Sequence, residues 1–204
     1  MDSATRKKSL SADTGGIVLR LEAEVELTDE KMLALSSLNR DLRLERTAEG
    51  ELIAMPPTGS ESSARNAGLT AQLWVWAKRD GTGRTSDSSG GFTLPNGALR
   101  SPDASWVKKS RLEKFTAGQR EKYLPLCPDF VVELRSPTDR LNVVKEKMRE
   151  YIENGAKLGW LIDPADKRVF VYLPGEDVRE LKEPDEISGS PVLPGFALDL
   201  REIW

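Results

Sequence analysis

Two carboxylates set in strand-like segments are the residues of this chain best placed to do chemistry. Asp103 stands in Ser101-Pro102-Asp103-Ala104-Ser105-Trp106-Val107. Glu133 follows thirty residues later in Pro128-Asp129-Phe130-Val131-Val132-Glu133-Leu134-Arg135. Burying even an unpaired polar group costs roughly 2–7 kcal/mol, and an isolated charge costs more. Two such acids brought together also repel each other. A divalent cation is the simplest partner for both.

The composition narrows the choice of partner. The 204 residues include no histidine and one cysteine. Ser-His-Asp and Cys-His catalysis are therefore excluded, as is zinc held by Cys and His. A metal here must be held by oxygen, which favours Mg2+, with Mn2+ as the alternative. The length fits one domain, expected over residues 17–204, behind a disordered tail at 1–16. The 38% hydrophobic and 31% charged content reads as soluble and globular. No apolar run approaches the roughly 18 residues of a membrane span, so no membrane partner is expected. Residues 1–16 have no apolar stretch like that of a secretory signal. The lone Cys127 cannot form an internal disulfide, which agrees with a reducing, cytoplasmic setting. A net charge of -3 argues against a uniformly basic nucleic-acid binder. Residues 108–122 nevertheless carry six Lys/Arg against Glu113 and Glu121, while 176–186 lean acidic. The basic stretch reads first as a solvated loop and second as a phosphate-facing one.

The elements that must position the acids can be read from periodicity and punctuation. Ile17 to Leu27 alternates apolar and charged residues. Thr28 opens a short helix with Asp29 and Glu30 in its first turn. Leu42–Arg46 and Glu51–Met55 read as a hairpin. Ser60 to Lys78 reads as a helix, with Thr58 and Glu61 spaced as a capping box. Arg84–Ser88, Phe92–Leu94 and Pro102–Lys108 read as extended pieces. Phe130–Arg135 reads as a central strand buried on both faces. A second helix runs to Asn154, capped by Thr138 or Asp139 and stopped by Gly155. Leu158–Ile162 and Arg168–Leu173 form a hairpin, and Val192–Leu200 a last strand. The expected class is α+β, a mixed central sheet between helices with extra hairpins.

The helix at 139–154 supplies a cation. Leu141, Val144, Met148, Tyr151 and Ile152 span an apolar arc of about 100°. Lys147 lies just outside one edge of that arc and Lys145 just outside the other. A lysine at such a boundary lays its stem on the core and carries its ammonium to the rim. Asp, Glu and Lys together suit phosphodiester hydrolysis: the acids hold a divalent cation and the lysine neutralises developing charge. The bland reading is a buried ion pair with Lys147 or Arg135.

An ordered set of motifs adds to this. Pro102-Asp103, then Val131-Val132-Glu133-Leu134-Arg135-Ser136-Pro137, then Lys147-x-x-x-Tyr151-x-x-x-Gly155, then Trp160-Leu161-Ile162-Asp163-Pro164 resembles the Uma-two family. That family is restriction-endonuclease-like and falls within the PD-(D/E)XK nuclease superfamily. The resemblance runs from about Leu42 to Trp204. It includes Met55-Pro56-Pro57-Thr58-Gly59 and Asp87-Ser88-Ser89-Gly90-Gly91-Phe92. It implies a four- or five-stranded sheet with Asp103 and Glu133 on adjacent strands holding Mg2+, and DNA as substrate. Homodimers are expected by analogy. The superfamily lysine, two residues after the strand acid, is replaced by Arg135 here. In this family the lysine looks to have moved to the next helix, which points to Lys147. Guanidinium is too weakly acidic to serve as a base, so Arg135 suits charge stabilisation only. The resemblance also offers Glu61, on the preceding helix, as a further metal ligand or base, and Glu45 as a further catalytic acid. Asp87 is a weaker candidate.

The remaining singular residues have structural readings. Asp129 is expected at a strand-entry turn, Asp163 in the hairpin turn, and Cys127 as inert. Trp74, Trp106, Trp160 and Trp204 are expected to pack, with Trp76 exposed. The rival to a Mg2+-dependent endonuclease is a catalytically silent nuclease fold that binds nucleic acid or protein.

Overall fold

The near-continuous apolar runs at Phe130–Leu134 and Leu158–Asp163 are adjacent, parallel, fully buried strands. Such runs must be shielded on both faces, and the rest of the chain supplies the shields. The computed structural model describes residues 16–21 and 25–204. In chain order the elements are β1 (Ile17–Leu19), α1 (Asp29–Leu38), β2 (Arg43–Arg46), β3 (Leu52–Met55), α2 (Ser60–Asp80), β4 (Gly83–Asp87), β5 (Phe92–Thr93), β6 (Leu99–Arg100) and β7 (Ala104–Lys108). Then follow α3 (Lys109–Leu112), α4 (Ala117–Arg120), β8 (Phe130–Leu134), α5 (Leu141–Glu153), β9 (Leu158–Asp163), β10 (Arg168–Tyr172), β11 (Arg179–Lys182), β12 (Glu186–Ser188) and β13 (Ala197–Asp199).

The central sheet has the order β11-β10-β9-β8-β7-β4. Only β8 and β9 run parallel, and α5 makes the crossover between them. On one face, Leu69, Leu73 and Ala77 of α2 pack on Trp106, Phe130, Val132 and Trp160. On the other, Met148 and Tyr151 of α5 pack with Val131, Leu161 and Phe170. The result is the expected mixed sheet between helices. A second sheet, β1-β3-β2-β6-β5, meets α5 through an ion pair between Arg100 and Glu150. Gly159 sets how closely α5 can lie: a Cβ there would stand 2.5 Å from the Met148 methyl.

Several expectations change. The central sheet has six strands, not four or five, because the β10–β11 hairpin extends it. The Val192–Leu200 strand shrinks to β13, paired with β12. β12 had no clear signal, since Ile187 is its one buried residue. The capping box at Thr58 is absent: Gly59 is the N-cap of α2 and makes no side-chain cap bond. The helix starts one residue later than that spacing requires. Arg140, not Thr138 or Asp139, is the N-cap of α5, because the Asp139 carboxylate is taken by the Ser136 backbone N–H. The tryptophans on α2 exchange roles. Trp74 is 53% exposed, whereas Trp76 packs against Trp106 and Phe196 and donates to the Pro194 carbonyl. The basic stretch contains α3 and α4, pinned by buried Leu112.

The expected tail at 1–16 lies outside the described residues except for Gly16, as do residues 22–24 of the Ile17–Leu27 alternation. Among the described residues no helix is long and apolar enough to cross a membrane.

Candidate active site

The two acids meet across neighbouring strands. β7 and β8 pair antiparallel with Ala104 opposite Val132. One further step of that register sets Asp103 opposite Glu133, on the face covered by α5. The Asp103 carboxylate folds over the strand end, where its Oδ2 accepts from the Leu134 N–H at 2.8 Å. Its Oδ1 accepts from Arg43 of β2 at 3.0 Å. Like charges directly opposite on a sheet destabilise it, so the arrangement needs cations.

Lys147 provides one. Its Nζ lies 2.9 Å from Glu133 Oε1 and 2.9 Å from Glu45 Oε1. Glu45, on β2 and 2% exposed, is held further by Arg100 at 3.2 Å and by the Ser101 N–H at 3.1 Å. Arg100 in turn pairs with Glu150 of α5 at 2.6 Å. Tyr151, one turn after Lys147, donates to Glu133 Oε1 at 2.9 Å. Four carboxylates thus face three cations. The cluster opens to solvent at Arg43, whose side chain is 31% exposed, and at Asp103 and Lys147, each 14% exposed.

The charges are compensated unevenly. Burial alone would raise the Glu45 carboxyl, but Lys147, Arg100 and Arg43 hold it down at about 2. Burial also raises Glu133, and repulsion from Asp103 and Glu45 adds to it. Against Lys147 and Arg43 these win, and Glu133 is pushed up to about 7. Burial disfavours the Lys147 charge, yet Glu133 and Glu45 raise its pKa, so it stays an ammonium. That suits it to stabilise charge rather than to act as a base.

The other candidates separate from this cluster. Arg135 donates to both oxygens of Asp163, at 3.1 and 3.0 Å, so it does not supply the site's cation. Asp163 ends β9 at the hairpin turn, where it is fully buried as the partner of Arg135 and Arg168. Lys145 lies over the Phe170 ring, 4.0 Å from its centroid. Glu61 is exposed on α2, the helix on the opposite face of the sheet. No three His, Cys, Asp or Glu side chains among the described residues are grouped to hold a metal. Asp87 caps its own turn through the Ser89 N–H and hydroxyl. Asp129 accepts from the Lys108 N–H and pairs with Arg111. Cys127 is buried, and burial pushes its thiol up to about 12.

Sequence reasoning missed Arg43, Arg100, Glu150 and the Tyr151 hydroxyl. Arg43 and Glu45 left a trace: they stand two apart on a strand, on one face. Lys147 and Tyr151, four apart on a helix, also share a face. Arg100 and Glu150 left none, because their pairing spans fifty residues.

A mixed sheet between helices, with acids meeting at the ends of adjacent core strands, is the restriction-endonuclease-like fold. A solved structure of a "putative nuclease belonging to DUF820" from Anabaena variabilis ATCC 29413 superposes with a TM-score of 0.70. It shares 24% identity and covers 78% of this chain and 88% of its own. The chain belongs to the Uma2 family, described as "Putative restriction endonuclease", which matches residues 29–201. No curated protein matches it. Family and fold point to a restriction-endonuclease-like nuclease, and hence to a nucleic-acid substrate.

Proposed function

We propose that this chain is a Mg2+-dependent endonuclease that hydrolyses DNA phosphodiester bonds at the Asp103–Glu133 cluster, with Mn2+ able to substitute. The observation that carries this is the Asp103 carboxylate held on the Leu134 N–H, beside Glu133, with Lys147 against the second acid. The donor set fits a hard cation. Glu133 Oε2 takes no hydrogen bond among the described residues. Two carboxylates suffice for Mg2+, which ordinarily keeps several waters and adds substrate phosphate oxygens. When bound, the cation supplies Lewis-acid charge and activates water for attack on phosphorus.

The chain's own residues do the rest. Lys147, protonated and fixed by Glu45, stabilises negative charge gathering on the phosphate. Arg43, the most exposed cation of the cluster, neutralises a neighbouring phosphate oxygen while steadying Asp103. Glu45 positions Lys147 and stays off the substrate. Glu61 has no part in this set.

Asp103→Ala and Glu133→Ala should each lower Mg2+-dependent DNA cleavage at least about 1000-fold, and Lys147→Met about 100-fold. Cleavage that survives in both acid variants rejects the assignment. A second reading has one observation behind it: every acid of the cluster already has a protein cation. A silent nucleic-acid-binding fold would retain DNA affinity with no response of stability to Mg2+.

A further inference from the structure

We infer that Tyr151 is a positioning residue whose phenol, with the Lys147 ammonium, occupies one oxygen of Glu133 and leaves the other presented to a divalent cation. The inference rests on the metal-site reading of Asp103 and Glu133 proposed above. Its basis is the convergence of two donors on one atom. Tyr151 Oη and Lys147 Nζ each lie 2.9 Å from Glu133 Oε1. Oε2 receives no bond among the described residues, while the side chain keeps 6% exposure.

The two donors are not equivalent. Lys147 is a flexible four-carbon stem shared with Glu45, so it fixes a charge but not a carboxylate plane. The Tyr151 ring is rigid beyond two torsions and wholly buried beside Met148 and Leu161. Its backbone is anchored as well: its carbonyl accepts from the Ala156 N–H at 3.0 Å and from Cys127 Sγ at 3.4 Å. A donor held this firmly sets the rotation of the carboxylate it bonds. Groups that orient a metal-ligating carboxylate govern metal affinity, although they never touch the metal.

A buried phenol that merely satisfied its own hydroxyl would bond the same oxygen, so the test must read metal rather than stability. Mn2+ binding to the full, metal-free chain, without DNA, can be followed by the electron paramagnetic resonance of free Mn2+. Y151F keeps the ring volume and removes only the donor. It should bind Mn2+ about 10-fold more weakly than wild type. E133Q should weaken binding further, and the E133Q/Y151F double variant should bind no more weakly than E133Q alone. A Y151F affinity equal to wild type, with only a lower melting temperature, overturns the inference. So does full additivity in the double variant, which would mean that Tyr151 acts elsewhere. A wild-type chain that binds no Mn2+ removes the metal-site reading itself, a failure distinct from the other two.

Discussion

Two buried carboxylates stand at the same end of the adjacent parallel strands β8 and β9, and their surroundings differ in kind. Asp163 is fully buried, and both its oxygens accept from Arg135, with Arg168 at 3.7 Å. Glu133, 5% exposed, shares its one directly paired cation with Glu45 and feels the repulsion of Asp103. The first is a carboxylate with cations to spare, and the second is a carboxylate short of them. Burial alone therefore does not mark a functional acid. On the reading proposed above, what marks it is burial with the charge left incompletely balanced, because such an acid has binding capacity left for a cation from solution.

Asp163→Asn probes the balanced side and should have the largest effect on stability. It strands Arg135 without a charge partner, a loss of about 3–5 kcal/mol measurable by urea denaturation. DNA cleavage should persist wherever the variant remains folded. An unchanged denaturation midpoint would erase the contrast between the two acids.

The unbalanced side should respond to pH instead. Glu133 has its pKa raised from 4.5 to about 7 on folding, so between those values the folded state binds more protons than the unfolded. Stability should then fall as pH rises through that window in chelator-treated protein. Glu133→Gln should flatten this slope and be at least as stable as wild type above pH 7, while losing cleavage. Glu45 works with the opposite sign. Its carboxyl, lowered from 4.5 to about 2, contributes stability that is present above 4.5 and lost as pH falls toward 2. Glu45→Gln should therefore blunt acid unfolding in particular. Parallel pH–stability curves for the two variants would show that the cluster titrates as one unit.

Glu61→Gln should have the smallest effect, within about 0.5 kcal/mol of wild-type stability, as exposed positions generally are. Cleavage should change less than about twofold. A large loss of cleavage would return the α2 acid to the site.

Much of the frame was legible in the residues. Glycine and proline punctuation marked the hairpins and the end of α5, and the continuous apolar run of Phe130–Leu134 marked a two-sided strand. The helix phase placed Lys147 on the boundary of the α5 core face, where it indeed lies with its ammonium between two carboxylates. Less was legible where side chains meet across the chain. Arg135 stands two residues after Glu133, and strand alternation would have aimed both at one face. The strand ends at Leu134, however, and Asp163 on the neighbouring strand captures the guanidinium. The capping-box spacing at Thr58 was similarly misleading, since a helix start one residue later removes its geometry.

By itself, the sequence determined the chemistry available: no histidine, one cysteine, two acids in strand-like segments and a lysine at the right helical phase. Those are matters of composition and local period, which act over a few residues. Only the tertiary structure decided which cation answers which acid. Arg43 and Arg100 reach the cluster from another sheet, and Arg135 leaves it for Asp163. Charge pairing depends on distances of a few ångströms between residues from 14 to 102 positions apart, and only the packing of the two sheets around α5 sets those distances.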